Sequence, residues 1–477
     1  MKSVTKKNKY EIDMCNGSLM DKLISFSLPL MLSGILQLLF NAVDIIVVGR
    51  FTGRQALAAV GSTTALINMF VNLFIGISLG ANVLAARFFA AKKEREMSET
   101  VHTAIAFALA SGIDMAFIGV AFARTALELM GTPDDVIQLS ALYMRLYFCG
   151  MPFFMLYNYG AAILRAIGDT KRPLLFLVIA GVANVALNLL LVIVFHLGVA
   201  GVAIGTIISQ MISSILVLRC LCKAEASYRL HFSKLSIKGV YMKQIFKVGI
   251  PAGIQSTVIN FSNVLLQSSV NSFGSTAMAG YTAANNIFGF LYASANSITQ
   301  ACMSFTSQNY GAGKWKRIDR VVVDCMALTV VIMLALGGGA YVFGHQLLGI
   351  YTSDAEVIAC GMEILLYTTV TYFLCGLMDL FPGAMRGMGY SLVPMIISII
   401  GTVGLRIVWI FWVFPRNRSL DVLFISYPAS WILTILMQLA CFGFVRKKVF
   451  RKLRSEYKPI RNPGNETTKY NCKKREK

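Results

Sequence analysis

Asp44 sits in Asn41-Ala-Val-Asp44-Ile-Ile-Val-Val-Gly49, a carboxylate with apolar residues on both sides. A charge at bilayer depth costs at least about 2.5 kcal/mol on insertion scales, so a carboxylate in such a place needs a partner or a task. Counted from the ends of their own apolar runs, Asp44, Asn188 and Thr206 lie roughly 9 to 11 Å below one surface at 1.5 Å per residue, with Asn184 one turn deeper. A carboxylate ringed by amide and hydroxyl oxygens takes up a proton, or a hard cation such as sodium, without a full desolvation loss. The plainer alternative is that Asp44 only hydrogen-bonds three helices together. Asp379, seven residues before Arg386, either meets a cationic substrate or salt-bridges a nearby basic loop, the second being the plainer reading. Gln255, Asn260, Asn263, Gln267, Asn285, Asn286, Asn296 and Gln300 crowd two consecutive apolar runs; such groups line a wet cavity or bond between helices. Asp114 with Arg145, and Glu363 with Arg406, match in depth and read as neutralising ion pairs.

The elements that hold these residues follow from composition. The chain has 477 residues, 56% hydrophobic and 14% charged, with mean hydropathy +0.65. A water-soluble domain has about a quarter of its residues charged, so this is a membrane protein. Twelve apolar stretches are long enough to cross about 30 Å of hydrocarbon: 25–49, 56–86, 102–123, 138–160, 174–195, 200–218, 248–273, 281–307, 321–344, 357–381, 392–414 and 422–445. The net charge of +21 comes from residues between these runs, so it describes topology and no nucleic-acid partner is expected. With both termini cytoplasmic, the inner segments carry 37 Lys and Arg and the outer ones five, which sets the orientation. Ten scattered cysteines without a Cys-x-x-Cys or Cys/His cluster specify neither a disulfide framework nor a zinc site, and no metal or organic cofactor is expected. The first apolar run lacks a small-residue cleavage site, so no signal peptide is expected.

The two halves repeat. Arg165-Ala-Ile-Gly168 and Pro173 match Arg386-Gly-Met-Gly389 and Pro394 at an offset of 221, and Pro29 matches Pro251 with one residue of slippage. Six spans per half return the chain to its starting side, so the halves are parallel repeats about an axis along the membrane normal. The expected fold is all-α, twelve transmembrane helices in two six-helix lobes. The division is a cytoplasmic N-terminus (1–24), a first lobe (25–218), a basic linker (219–247), a second lobe (248–445) and a basic cytoplasmic tail (446–477), read as a solvated positive-inside signal within reach of anionic lipid. Pro29 and Pro251 are expected within the first turn of their helices, where proline costs little. Gly76-xxx-Gly80 and Gly201-xxx-Gly205 permit close helix approach.

The sequence resembles the multidrug and toxic compound extrusion (MATE) family of secondary transporters over about residues 20 to 445. The carriers are Asn41 to Arg50 closing helix 1, Ile163-Leu-Arg165-Ala-Ile-Gly168-Asp169-Thr170, Asn184-Val-Ala-Leu-Asn188, Gly201-Val-Ala-Ile-Gly205-Thr206 and Met385-Arg386-Gly387-Met388-Gly389. The resemblance is greatest to the branch with an acidic residue in helix 1 (DinF-like). It implies antiport, in which amphiphilic and often cationic compounds leave in exchange for protons or sodium, and it implies a cation site at Asp44, Asn184, Asn188 and Thr206. Family members with this arrangement often have Asp where this chain has Asn188, and a single carboxylate suits one proton better than a tightly held sodium ion. Another branch carries Glu in helix 7 about two turns after Gly-x-Pro, where this chain has Ile259 and Asn260 after Gly249-Ile-Pro251.

The expected function is therefore proton-coupled multidrug efflux from the cell membrane by a monomer, with a small amphiphilic or cationic substrate and Gln255, Asn260, Asn263, Asn285, Asn286 and Asp379 lining its cavity. A lipid-linked oligosaccharide or lipid flippase of related two-lobe fold is the nearest alternative. It calls for several basic residues around a pyrophosphate, whereas only Arg145 and Arg406 lie within these spans. An enzyme is not expected, since no Gly-x-Ser-x-Gly or His-Glu-x-x-His motif occurs at membrane depth.

Overall fold

The computed structural model describes residues 10–456, and every regular element among them is helical. In the first lobe α1 (Met20–Phe51), α2 (Arg54–Ala90) and α3 (Glu94–Leu129) are long single helices. A fourth span is broken into α4 (Asp134–Cys149) and α5 (Met151–Ala166), bent by 45°. α6 (Lys171–Leu189) runs on through a π-turn at Leu190–Val194, and α7 (Gly198–Cys222) closes the lobe. The second lobe follows the same plan with α8 (Gly239–Asn271), α9 (Ser275–Gly311), α10 (Trp315–Val342) and a short α11 (Gly344–Gly349). Its broken span is α12 (Ala355–Thr369) and α13 (Tyr372–Gly387), bent by 41°. α14 (Leu392–Ser398) and α15 (Leu405–Val408) are one span divided by a π-turn at Ile399–Gly404, and α16 (Leu420–Glu456) is the last. The repeat thus extends to its irregularities. At the first bend Pro152 lacks an N–H just past Gly150; at the second the Thr371 hydroxyl takes the Tyr367 carbonyl at 2.6 Å.

Eight of these segments are long and apolar enough to cross a membrane alone, and the two bent pairs each qualify as one span. α8 and α9 are long enough, at 33 and 37 residues, but their Asn, Gln, Ser and Thr make them less apolar. Together they give the twelve expected crossings. Phe117, Leu129, Trp412 and Phe444, exposed by 67% or more, belong to the outer apolar belt that lipid covers.

Pro29 and Pro251 are not at helix starts. Both lie inside their helices, because the residues ahead of each apolar run pack as well: Leu23 and Phe26 on α1, Met242 and Ile245 on α8, are buried. The helices therefore continue past the hydrocarbon into the polar end.

The lobes meet along the half of the bundle that carries the N-terminal segment and the linker. Gly76 and Gly80 of α2 fit against Gly253 and Gly249 of α8 so closely that a Cβ on Gly76 would fall 2.3 Å from Gly253 Cα, and one on Gly80 2.2 Å from the Ile245 carbonyl oxygen. Polar bonds seal the seam: Ser304 Oγ donates to Asn82 Oδ1 (3.1 Å), Ser307 Oγ to the Val83 carbonyl (2.8 Å), Gln308 Nε2 to the Ala166 carbonyl (2.7 Å) and Arg87 Nη2 to the Gly387 carbonyl (3.2 Å). The segment before α1 clasps the linker and the second lobe here. Tyr228 Oη donates to Glu11 on one side, and Asn309 Nδ2 and Arg317 Nε donate to the Met14 carbonyl on the other.

The linker is docked along its length. The His231 N–H donates to His102 Nε2 at 3.1 Å, and Lys238 Nζ donates to Glu99 at 2.7 Å. Hydrogen bonds from Lys238 and Tyr241 hold the Glu99 carboxyl down at about 2. The basic tail expected from 446 is helical as far as Glu456, and the rest of it lies outside the described residues.

Candidate functional site

Two glycines let α1, α6 and α7 close on one another. Gly181 of α6 lies against the Phe40 ring of α1, where a Cβ would come within 1.9 Å. Gly205 of α7 faces Asn188 of α6, where a Cβ would stand 2.2 Å from Oδ1. A Cβ at either place would have to push the facing side chain aside.

In the space so formed Asn188 Nδ2 donates to Asp44 Oδ1 at 2.5 Å and to Asn184 Oδ1 at 3.3 Å. Asn184 Nδ2 donates to Thr206 Oγ1 at 3.5 Å, and the Thr206 hydroxyl donates to the Val202 carbonyl at 3.0 Å while lying within reach of the Asp44 carboxylate. The four residues named from the sequence are thus one connected polar group. Asn188 is wholly buried, and its Oδ1, turned toward Gly205, has no hydrogen-bond partner. The π-turn begins two residues beyond Asn188, a distortion often found beside functional residues.

Asp44 takes part in none of the described ion pairs, and the groups hydrogen-bonded to it are neutral. A carboxylate held by neutral donors at membrane depth accepts a proton or an external cation more readily than one already salt-bridged. Tyr143 and Tyr147 of α4 lie near enough to feel its charge. Tyr147 also lines a crevice at the α4–α5 bend with Phe154, Thr206, Ile207 and Gln210. The sequence reading missed these tyrosines; their i, i+4 spacing puts them on one helix face, but an aromatic pair in an apolar run reads as packing.

The second lobe departs from expectation more often. Gln255 is buried and accepts a bond from Arg386 Nη2 at 2.7 Å, and Asn263 Oδ1 accepts from Arg406 Nη1 at 2.9 Å. Both amides accept from buried guanidinium groups, which gives each arginine a partner inside the lobe. Asn260, Asn285 and Asn286 are exposed on the structure, with Asn286 bonded to its own helix through the Thr282 carbonyl. Asp379 faces the Arg386 charge, but the two are not among the described contacts within 4 Å.

Neither expected ion pair at matched depth forms. Arg406 turns to Asn263, Ser430 and the Tyr427 ring, whereas Glu363 shares a hydrogen bond with Asp421. Asp114 and Arg145 are both exposed and form no ion pair among the described ones. Equal depth did not imply facing sides. Among the described residues no group of three His, Cys, Asp or Glu is placed to hold a metal ion.

The family model for MatE matches residues 29–190 and again 251–412. Among curated proteins, the chain is 31% identical over 434 residues to the probable multidrug resistance protein YoeA of Bacillus subtilis, covering 89% of this chain and 93% of that one. It is 21% identical to the multidrug export protein MepA of Staphylococcus aureus, over 79% of this chain and 84% of that one. Among solved structures, an outward-facing multidrug resistance MATE transporter superimposes with TM-score 0.85 at 20% identity, over 94% of this chain and all of that one. A MATE protein in a bent conformation does so with TM-score 0.81 at 20% identity, over 91% and 96%.

Proposed function

The chain belongs to the MatE family and is a multidrug efflux transporter, and we propose that it is a proton-coupled antiporter whose exchangeable proton is carried by Asp44. The observation that carries this reading is the Asp44 carboxylate held by neutral amide and hydroxyl groups, with no counter-charge. The 37-to-5 asymmetry of basic residues supports a cell-membrane protein with both termini cytoplasmic. On this reading the sealed end is the cytoplasmic one.

Asn188 gives the site a way to sense its proton. As a carboxylate, Asp44 accepts from Asn188 Nδ2. Once protonated it has an O–H to donate, and the Asn188 Oδ1 now lacking a partner becomes its acceptor if the amide turns over. Because Asn188 also donates to Asn184, the turn rearranges the contacts of α6 with α1 and α7. Sodium fits this set less well, since the group turned toward the carboxylate is an N–H donor and not a second ligand oxygen. The substrate on this reading is an amphiphilic, often cationic compound, bound between the lobes with Asp379 on the second-lobe side.

Efflux from proteoliposomes under separately imposed proton and sodium gradients tests the proposal. Asp44→Asn is expected to abolish gradient-driven efflux with expression and folding retained, because the amide is isosteric and permanently neutral. Wild-type rates in that variant, or efflux driven by sodium alone, would overturn it.

A further inference from the structure

Arg406 stands in the second lobe much as Asp44 stands in the first. It is 3% exposed, and no carboxylate pairs with it among the described ion pairs. Nη1 donates to Asn263 Oδ1 of α8 at 2.9 Å, Nε to Ser430 Oγ of α16 at 3.4 Å, and the guanidinium carbon lies 4.3 Å from the centre of the Tyr427 ring. The Tyr427 hydroxyl is in turn 3.3 Å from that of Tyr281. An amide oxygen, a hydroxyl and an aromatic face are the partners that a desolvated cation uses.

The repeat gives this place a meaning. Counted from the starts of the two matched segments, at 29 and 251, Arg406 occupies the position of Asn184 and Asn263 that of Asn41. α16 supplies Tyr427 and Ser430 where α7 supplies Thr206. The register needs one residue more than the 221 offset at Pro173 and Pro394, and the π-turn at Ile399–Gly404, between Pro394 and Arg406, provides it.

We infer that Arg406 is a resident cation: its guanidinium fills the second-lobe counterpart of the Asp44 site, so that exchangeable cation binding is confined to the first lobe. A guanidinium on a side chain is covalently held, so it cannot leave as an exchangeable ion does. The second lobe then needs no coupling ion at this place. The inference rests on the Asp44 reading only for which lobe exchanges its cation.

The test is chemical rescue of the full-length protein. Arg406→Ala empties the place while leaving Asn263, Ser430 and Tyr427. Millimolar guanidinium is expected to raise its thermal midpoint by about 2 °C or more and to recover most of its lost efflux, while tetramethylammonium at equal ionic strength does neither. Wild type and Asp44→Asn should show no guanidinium-specific shift. An Arg406→Ala protein that responds to both cations alike, or to neither, overturns the inference. If Arg406→Ala does not fold, Arg406→Lys against Arg406→Gln decides: efflux kept by Lys and lost by Gln supports a resident charge, and the reverse, or equal efflux in both, refutes it. Rescue does not pass through Asp44, so wild-type efflux in Asp44→Asn would remove the coupling reading while leaving a positive rescue intact.

Discussion

Gly205→Ala isolates the geometry of the Asp44 site without touching its polar groups. The new Cβ would stand 2.2 Å from Asn188 Oδ1, and the next atoms are Asn188 Cγ at 3.3 Å and its backbone N at 3.5 Å. Normal contact needs more than an ångström of relief, and the amide is the softest thing to move. Asn188 must therefore swing away from α7, which breaks its 2.5 Å bond to Asp44. Overpacking of this kind costs about 1–3 kcal/mol. A hydrogen bond to a charged group contributes about 1.5–3 kcal/mol, which corresponds to a factor of about 10 to 150 in an equilibrium that depends on it. Proton-driven efflux is expected to fall at least about tenfold. Gly201→Ala is the control, since its Cβ meets nothing closer than 3.2 Å, on Leu191, and a shift of a few tenths of an ångström accommodates it. The assay is efflux from proteoliposomes at matched protein incorporation. Efflux in Gly205→Ala equal to that in Gly201→Ala would show that the Asn188–Asp44 contact is not part of coupling.

The interlobe seam makes a second prediction: Gly76→Leu drives side-chain atoms into the Gly253 backbone, so the sealed end should open. Ser304→Cys, at a residue 1% exposed, is expected to resist a polar maleimide alone and to react in the Gly76→Leu background; unchanged labelling would contradict the seam's role. The linker contact makes a third, with its sign fixed by Glu99. Its carboxyl is held at about 2 in the folded protein against 4.5 ordinarily, so the contact stabilises docking fully above about pH 4.5 and is lost as pH falls toward 2. Exposed pairs of this type contribute about 0.2–1 kcal/mol, so Glu99→Gln should speed tryptic cleavage at Lys238 by less than about fivefold at neutral pH, and no change would mean the linker is held by its other bonds.

The spans, the repeat and the Asp44 group were legible because each rests on a property that the bilayer enforces locally. Apolar length fixes the spans, and a polar atom at depth must find another polar atom at similar depth on a neighbouring helix. Asn184, Asn188 and Thr206 had little else to meet. Depth failed for Glu363 and Arg406, because it fixes height along a helix and leaves rotation about the axis open. A π-turn on either side of α15 turns that helix further from where regular spacing would put it. The partners of the α8 polar set were not legible for a related reason: an amide beside a buried arginine and an amide facing a wet cavity look the same in sequence, and only the structure shows Gln255 and Asn263 bonded to Arg386 and Arg406. The prolines were misplaced because the apolar run marks where the helix meets hydrocarbon, and not where its hydrogen bonding begins.

α1 connects the site to the seam. Its upper half carries Asp44 and lies on α6 through Phe40 and Gly181, whereas its lower half lies on the other lobe, with Gly34 against Ala293 of α9 and Phe26 packed edge-on to Phe305 at 5.6 Å. Pro29 is within that lower half and removes one backbone bond from the helix, while the Ser33 hydroxyl takes up the Pro29 carbonyl at 2.8 Å. Asp44 is fifteen residues beyond the proline, about 22 Å along the axis at 1.5 Å per residue. A change of about 10° in helix direction at Pro29 therefore displaces Asp44 by about 4 Å, more than the whole Asp44–Asn188 contact can stretch. Conversely, locking or releasing that contact limits how far the upper half can turn while the lower half stays seated on α9. The Asn188 contact at Asp44 and the packing between lobes are thus two constraints on a single helix, with the proline inside the half that is seated on the other lobe.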